Sequence, residues 1–336
     1  YPHPYEAELR EFTHSEQQLR PPGPDRESLV VPSSHVDAPY TWVDTEAGLG
    51  DLLAHLLGQE EGGSGEPVAE VALDLEHHSF RSFQGVTCLM QLSTRERDYL
   101  IDALAVREWL PRLLPVLADP QVVKVLHGAD SDVLWLQRDF GLYVVNLFDT
   151  GQAARALGLP AFSLAYLLQR YCGLSLDKKH QLSDWRQRPL PAEMAKYAQA
   201  DTHYLLHAYD LLRLDLEAAG DGGLALRGVL DAGRELCLRR YEKEPFRPGG
   251  YEFLVQRAGG PGAVTAVQRR VLAALWDWRD RCPPGGRERI RGAGPGAAAR
   301  LAAPARLGRP AAPVREPAAP AGAGGRRRGA ARRARG

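Results

Sequence analysis

"VALDLEHHSF", running from Val71 to Phe80, is the stretch on which the reading of this chain turns. Val71, Ala72 and Leu73 make the apolar run of a buried strand, and a strand alternates faces at every residue. Asp74 and Glu76 therefore point the same way, with Leu75 behind them. Two carboxylates side by side at the end of a buried strand repel each other and lose hydration, which is costly without a partner. The stretch calls for a cation that it does not itself contain.

Working outward, further strands are expected in "TCLMQLST", "DYLIDAL", "VVKVLH" and "LYVVNLFD". Helices are expected over Val106 to Leu117, in "SDVLWLQRDFG" closed by Gly141, and in "SLAYLLQRYCG" with Ser163 as N-cap. One long helix is expected in "PAEMAKYAQADTHYLLHAYDLLRLDLEAAG", with Pro191 near its first turn. Three successive strands followed by alternating helix and strand predict an α/β domain, a mixed sheet flanked by helices, over residues 67–222. Residues 1–66 read as an N-terminal arm with one helical stretch, ending in the linker "EEGGSGEP". Residues 223–282 read as helical. Residues 283–336 collapse into Ala, Gly, Pro and Arg and are expected to be disordered.

Composition bounds the function. The 336 residues are 44% hydrophobic, enough for a sizeable core. The formal net charge is zero but uneven, because residues 283–336 hold 13 Arg against 2 Glu and leave an acidic body. Cys88, Cys172, Cys237 and Cys282 lie far apart without a C-x-x-C pair, which argues against a zinc site or a disulfide scaffold and suits a reducing compartment. No apolar run approaches the ~18 residues of a membrane span. The polar start "YPHPYEAELREF" lacks a signal-peptide core and an initiator Met, so a fragment of a soluble intracellular protein is expected.

Two more acids sit in unusual company. Asp132, in "HGADSDVLWLQ", follows a buried strand and opens a helix; Asp201, in "EMAKYAQADTHYLL", lies inside a mostly apolar helix four residues after Tyr197 and on the same helix face. Four carboxylates at strand ends and on inward helix faces suit hard divalent cations such as Mg²⁺, which binds a few carboxylates together with water and phosphate oxygens. A pair of such ions can clamp the attacking and leaving oxygens of a phosphodiester.

The pattern D-x-E, then H-x4-D-x3-L (His127, Asp132, Leu136), then Y-x3-D (Tyr197, Asp201) resembles the tyrosine-containing DEDD exonucleases. The longer blocks "DLEHHSFRSFQGVTCLMQLST", "KVLHGADSDVLWLQRDFGLYVVNLFDT" and "QLSDWRQRPLPAEMAKYAQADTHYLL" are similar to the RNase D-type 3′→5′ exoribonucleases of the nuclear RNA exosome. The likeness covers roughly residues 1 to 282. It implies an RNase H-like exonuclease fold followed by an α-helical domain of the helicase-and-RNase-D C-terminal (HRDC) type, incomplete in this chain. It further implies that Asp74, Glu76, Asp132 and Asp201 bind two Mg²⁺, with Mn²⁺ as an alternative, and that Tyr197 orients the attacking water. His77, Trp135 and Lys178 are implied to touch the terminal nucleotide. The implied activity is release of 5′-mononucleotides from single-stranded RNA 3′ ends. The implied setting is nuclear and nucleolar RNA processing and decay, rRNA included, with the exosome core and its cofactor proteins.

Blander readings compete at several positions. Asp130 is expected to N-cap the helix that follows rather than replace Asp132, which alone keeps the x3-Leu spacing. The pair His77–His78 tempts a zinc reading, but strand neighbours face opposite sides and no third ligand is near. Trp135 by default belongs to the core, and Lys178 to a solvated loop. "GAGPGA" at Gly292 has no strand before it and is a chance match, and no G-x-S-x-G, H-E-x-x-H or Walker loop is present. The apolar stripe Val267, Val271, Leu275 and Trp278 of the last helix has no periodic partner downstream. Two rival functions stand beside the nuclease: a catalytically silent RNA-binding exosome scaffold, disfavoured because all five motif residues are present, and a DNA 3′–5′ exonuclease, which the longer blocks disfavour.

Overall fold

The computed structural model describes residues 3–281 apart from 15, 20–25, 63–64, 80–83, 177–178, 221 and 244–245; Lys178 and the expected tail 283–336 lie outside the described residues. The chain runs α1 (Glu6–Glu11), α2 (Glu16–Leu19), β1 (Thr41–Val43), α3 (Glu46–Leu56), β2 (Glu70–His78), β3 (Val86–Ser93), β4 (Asp98–Ile101), α4 (Leu114–Leu117), β5 (Val123–Leu126), α5 (Asp132–Phe140) and β6 (Leu147–Asp149). Six helices follow in the second half: α6 (Thr150–Ala156), α7 (Leu164–Cys172), α8 (Ala192–His203), α9 (Leu205–Ala218), α10 (Leu224–Cys237) and α11 (Glu252–Arg257), before a last one, α12 (Ala266–Arg281). Among the described residues no helix is long and apolar enough to cross a membrane.

The strands form one mixed sheet in the order β1-β4-β3-β2-β5-β6. β2, β3 and β4 are an antiparallel meander, while β5 and β6 continue parallel to β2. β2 is buried on both faces, as its sequence requires. Val71, Leu73 and Leu75 join α3 and α5 in one core, with Leu49, Leu52, Leu136 and Phe140. Ala72, one step out of phase, joins the opposite core with Phe148, Leu205, Tyr209 and Val229. Asp74 and Glu76 share the Ala72 face by the strand's period.

The structure departs from the sequence reading where local chemistry is strong. The helix expected over Val106 to Leu117 is divided into a 3₁₀ turn, Leu110–Leu113, and α4, each with a proline in its first turn (Pro111 and Pro115). A proline has no N–H to carry a helix through its own position. The expected strand "LYVVNLFD" is shortened to β6, because Asn146 sits at φ 61°, outside extended backbone. The long helix is interrupted at Tyr204 (φ −98°, ψ −6°), giving α8 and α9. The backbone N–H of His35 donates to the Tyr204 hydroxyl there (2.8 Å). Within the expected arm, α3 matches the one helical stretch foreseen, Thr45 capping it by accepting from the Gly48 N–H, while β1, not foreseen, pairs parallel to β4 and joins the sheet. On α12 the expected stripe points outward, with Val267 62%, Val271 51% and Trp278 47% exposed. Leu272 and Trp276, on a neighbouring face, pack instead on Leu254 and Val255 of α11.

α8 lies across β2, β3 and β4 and is held by polar contacts on one flank. Lys196 donates to the carbonyls of His35 (2.9 Å) and Ala38 (2.7 Å). Gln199 Nε2 donates to Asp98 (2.7 Å), which also accepts from Ser93 (2.6 Å), and His203 Nδ1 lies 2.6 Å from the same carboxylate. Burial alone would raise the Asp98 pKa, but the bonds from His203, Gln199 and Ser93 together hold it below its usual value. Burial would lower the His203 pKa; Asp98 outweighs it and holds the imidazolium above its usual range.

This packing can be tested in two places. The histidine's contribution is complete below its unfolded value of 6.5 and fades as pH rises through its raised folded value; the aspartate's is complete above 3.8 and fades as pH falls through its depressed one. His203→Gln is therefore expected to cost on the order of 1.5–3 kcal/mol between roughly pH 4 and 6.5, and less near pH 9. Urea unfolding of both proteins across that range measures it, and a pH-independent difference would contradict the pairing. Gly233 sits in α10 where an added Cβ would fall 2.0 Å from the Leu147 carbonyl oxygen of β6. Gly233→Ala should destabilise by about 3 kcal/mol, the upper end of overpacking costs, read as a lowered denaturation midpoint; an unchanged midpoint would show that α10 does not pack this closely.

Candidate active site

The end of β2, the start of α5 and the inner face of α8 converge on one cleft of about 470 Å³. Asp74, Glu76, His77, Trp135, Tyr197 and Asp201 all line it, with His127 and Gln181. Carboxylate oxygens of Asp74, Glu76 and Asp201 lie within 4.8 Å of one another. Asp132 is outside that triplet. It is 7% exposed, and from the first turn of α5 it feels the charge of Asp74 and acts on Glu76 through space.

The electrostatics are those of a site short of positive charge. Burial, opposed weakly by the Leu75 N–H, pushes Asp74 up to about 7. Burial and then the charges of Asp74, Asp201 and Asp132 raise Glu76 well above its usual range. Asp132 and Asp201 are raised by burial first and by Asp74 second. Among the described residues, every charge acting on Glu76 and Asp201 is another carboxylate. Such an all-oxygen set fits Mg²⁺ or Mn²⁺ rather than a thiolate-seeking metal. The zinc reading of His77–His78 fails on geometry, since His77 meets Arg138 while His78 is buried 3.4 Å from Asp184.

Local chemistry explains the placement. Tyr197 and Asp201 lie one turn apart on α8, whose sheet-facing Ala195 and Ala198 allow close approach to Cys88, Leu89 and Leu100. Asp149, wholly buried, accepts four backbone N–H bonds: Gly128 (3.1 Å), Ala129 (2.8 Å), Gly151 (2.7 Å) and Gln152 (3.1 Å). It thereby caps α6 and pins the turn that delivers Asp132. Ser131 occupies the N-cap position of α5 without a side-chain cap bond. Asp130, expected as that cap, instead accepts from Arg239 at 2.6 Å. The helix ends foreseen at Gly141 and Ser163 are present, Gly141 left-handed and Ser163 accepting from the Tyr166 N–H.

A β-bulge also shapes the site. Glu76 pairs with Leu89 but His77 with Thr87, so the register passes over Cys88. A bulge increases local twist and re-aims neighbouring side chains, and both Glu76 and His77 line the cleft. His77 stacks flat on Trp135, with ring centroids 4.2 Å apart and planes 7° apart. Burial first and Arg138 second lower the His77 pKa to about 4. No base fits between two rings so close; the pair forms one wall. Asp149 and Arg138 were missed in the sequence. The "FDTG" run after a strand, an Asx cap signal, could have revealed Asp149; Arg138 carries no local signal.

A family model described as 3′-5′ exonuclease matches residues 40–217. The chain is 44% identical over 282 residues to "Exosome complex component 10" of Rattus norvegicus, covering 84% of this chain and 30% of that protein. It is 47% identical over 248 residues to "Exosome complex exonuclease RRP6" of Saccharomyces cerevisiae, covering 74% and 31%. The chain thus spans under a third of the length of these curated relatives. The crystal structure of the catalytic core of RRP6 from Trypanosoma brucei superposes with a TM-score of 0.74 at 38% identity, covering 89% of this chain and 77% of that one.

A carboxylate whose folded pKa is raised opposes folding once pH exceeds its unfolded value, so removing one of these charges should stabilise the metal-free protein. In chelator at pH 8, Asp74→Asn and Glu76→Gln are expected to melt above the unsubstituted chain. Saturating Mg²⁺ should stabilise the unsubstituted chain by about 2.7 kcal/mol at a hundredfold excess over Kd, and the variants by less. Melting curves that ignore both Mg²⁺ and Mn²⁺ would refute the metal reading.

Proposed function

Because this chain belongs to the 3′-5′ exonuclease family, we propose that its cleft performs metal-dependent 3′→5′ hydrolysis of single-stranded RNA, releasing 5′-mononucleotides. The observation that carries the reading is the triplet Asp74, Glu76 and Asp201 within 4.8 Å, with Tyr197 one helical turn from Asp201 in the same cleft. Asp74, Glu76, Asp201 and, from behind, Asp132 are the residues that would hold divalent cations. Two such cations, when bound, supply Lewis-acid stabilisation of charge on the attacking and leaving oxygens. Tyr197 presents a hydroxyl on the same helix face as Asp201, where it can hydrogen-bond and orient the attacking water. The His77–Trp135 wall supplies a flat surface for the terminal nucleotide, and Lys178 a charge for its phosphate. A cleft of about 470 Å³ has the size of a small-molecule pocket, room for a terminal nucleotide but not for a duplex.

RNA is favoured over DNA because the curated relatives are named as exosome components. The same names support a place beside the exosome core; the resemblance of the long sequence blocks is the ground on which we extend this to nuclear RNA processing and decay, rRNA included, in nucleus and nucleolus. We read α11 and α12 as the beginning of an HRDC-type helical domain.

On 5′-labelled single-stranded RNA, the chain is expected to shorten the substrate stepwise in Mg²⁺ and to stop in chelator. Asp132→Asn should lower turnover by orders of magnitude. Asp130→Asn, altering a carboxylate 60% exposed and bonded to Arg239, should change it little. Tyr197→Phe should cost ~10²-fold in turnover with metal-dependent stabilisation intact. Near-normal degradation by Asp132→Asn would remove that residue from the site, and equal rates on DNA of the same sequence would remove the RNA assignment.

A further inference from the structure

Arg138 lies on α5, nearly two turns beyond Asp132, and is 11% exposed. All three nitrogens of its guanidinium are engaged. Nε and Nη2 donate to the two oxygens of Asp139 (2.9 and 2.8 Å), and Nη1 donates to the Gln84 carbonyl (2.5 Å). Asp139 is itself fixed by the Thr87 N–H (2.9 Å) and hydroxyl (2.7 Å), on the strand beside β2. The remaining contact is Arg138 Nη2 to His77 Nε2 at 2.9 Å. An arginine only donates. His77 Nε2 must therefore accept, and in a neutral ring the proton then sits on Nδ1.

The ring has little freedom to escape this arrangement. One face is covered by Trp135. An added Cβ at Gly85 would fall 1.9 Å from the ring carbon between the two nitrogens, so the backbone at Gly85 closes that edge. Nδ1 has no hydrogen-bond partner among the described residues, and His77 lines the cleft.

We propose that Arg138 is a positioning residue for this cleft: it locks His77 in the Nδ1–H tautomer, flat on Trp135, so that the wall offers one hydrogen-bond donor to an acceptor oxygen of the terminal nucleotide. The donor role rests on the nuclease reading above; the tautomer does not. Arg138 is too enclosed, and too fully bonded, to grip a phosphate itself.

The test uses the full chain with ¹⁵N-labelled histidine. Long-range ¹H–¹⁵N correlation at neutral pH, with His77 assigned by comparison with His77→Asn, should show protonated-type Nδ1 and unprotonated-type Nε2. The opposite pattern, or an imidazolium, in the unsubstituted protein overturns the proposal with no variant needed. In Arg138→Gln, checked for folding by its melting curve, the amide oxygen can accept from Nε2, and the tautomer is expected to become mixed. On single-stranded RNA in Mg²⁺ that variant should raise KM roughly tenfold, the worth of one hydrogen bond, with kcat within about twofold. Asn carries its amide nitrogen near the Nδ1 position and has no tautomer to lock. Arg138→Gln should consequently cost much less in the His77→Asn background, a non-additive cycle. Additive costs, or a changed tautomer with unchanged KM, would show that Arg138 only braces the fold. If the unsubstituted chain degrades no RNA, the nuclease reading falls and the donor role with it, while the resonances still decide the tautomer.

Discussion

Mutual repulsion among buried carboxylates is the constraint around which this structure is arranged. Asp74, Glu76 and Asp201 are held within 4.8 Å while burial and their neighbours' charges push against ionisation. A flexible chain would relieve this by moving one acid into water. In this fold none can move far. β2 is hydrogen-bonded on both sides and buried on both faces, and Asp132 starts a helix whose approach is fixed by the Gly128 and Ala129 N–H bonds to Asp149. The framework keeps the charges together, which is the arrangement the proposed divalent cations would relieve.

α8 shows how that framework is built. A helix carrying Tyr197 and Asp201 into an open cleft finds little to hold it on the cleft side. Its inner face offers Ala195 and Ala198 to the sheet, with Met194 in the same core. Polar attachment comes from Lys196, Gln199 and His203, which reach the segment around His35 to Ala38 and the carboxylate of Asp98, and from Thr202, whose hydroxyl meets that of Ser93 (2.8 Å). Asp98 belongs to β4 and is joined through Ser93 to β3, next to β2. The strand that bears two acids and the helix that bears a third are thus referred to one polar cluster.

Legibility in the sequence followed the range of the interaction. Period-two alternation placed Asp74 and Glu76 on one face, and a spacing of four placed Tyr197 beside Asp201; both rules act within a few residues, and the structure keeps both. Asp132 was marked by its place between a buried strand and a helix start, whereas the wall residues came from resemblance rather than from pattern. The missed features depend on distant partners. β1 is three residues long and gains its identity only by pairing with β4. The two helix interruptions, at Pro111 with Pro115 and at Tyr204, were legible for the prolines and hidden for Tyr204, whose hydroxyl meets a segment 169 residues away. Asn146 at φ 61° was likewise discoverable, since asparagine is among the residues most tolerant of that region.

The bulge beside Glu76 belongs to neither kind. It is a property of register: two residues of β3 stand where one of β2 does, and no residue type announces it. Yet it decides what the cleft contains. Strict alternation would bring Asp74 and Glu76 inward and turn His77 away, giving an acidic cluster without a wall. With Cys88 passed over, Glu76 stays beside Asp74 while His77 reaches Trp135, and Thr87, now opposite His77, fixes the Asp139 that holds Arg138. One extra residue in a strand thus links the acids to the aromatic wall, so a change at Cys88 that restores regular pairing would disturb the wall before it disturbed the acids.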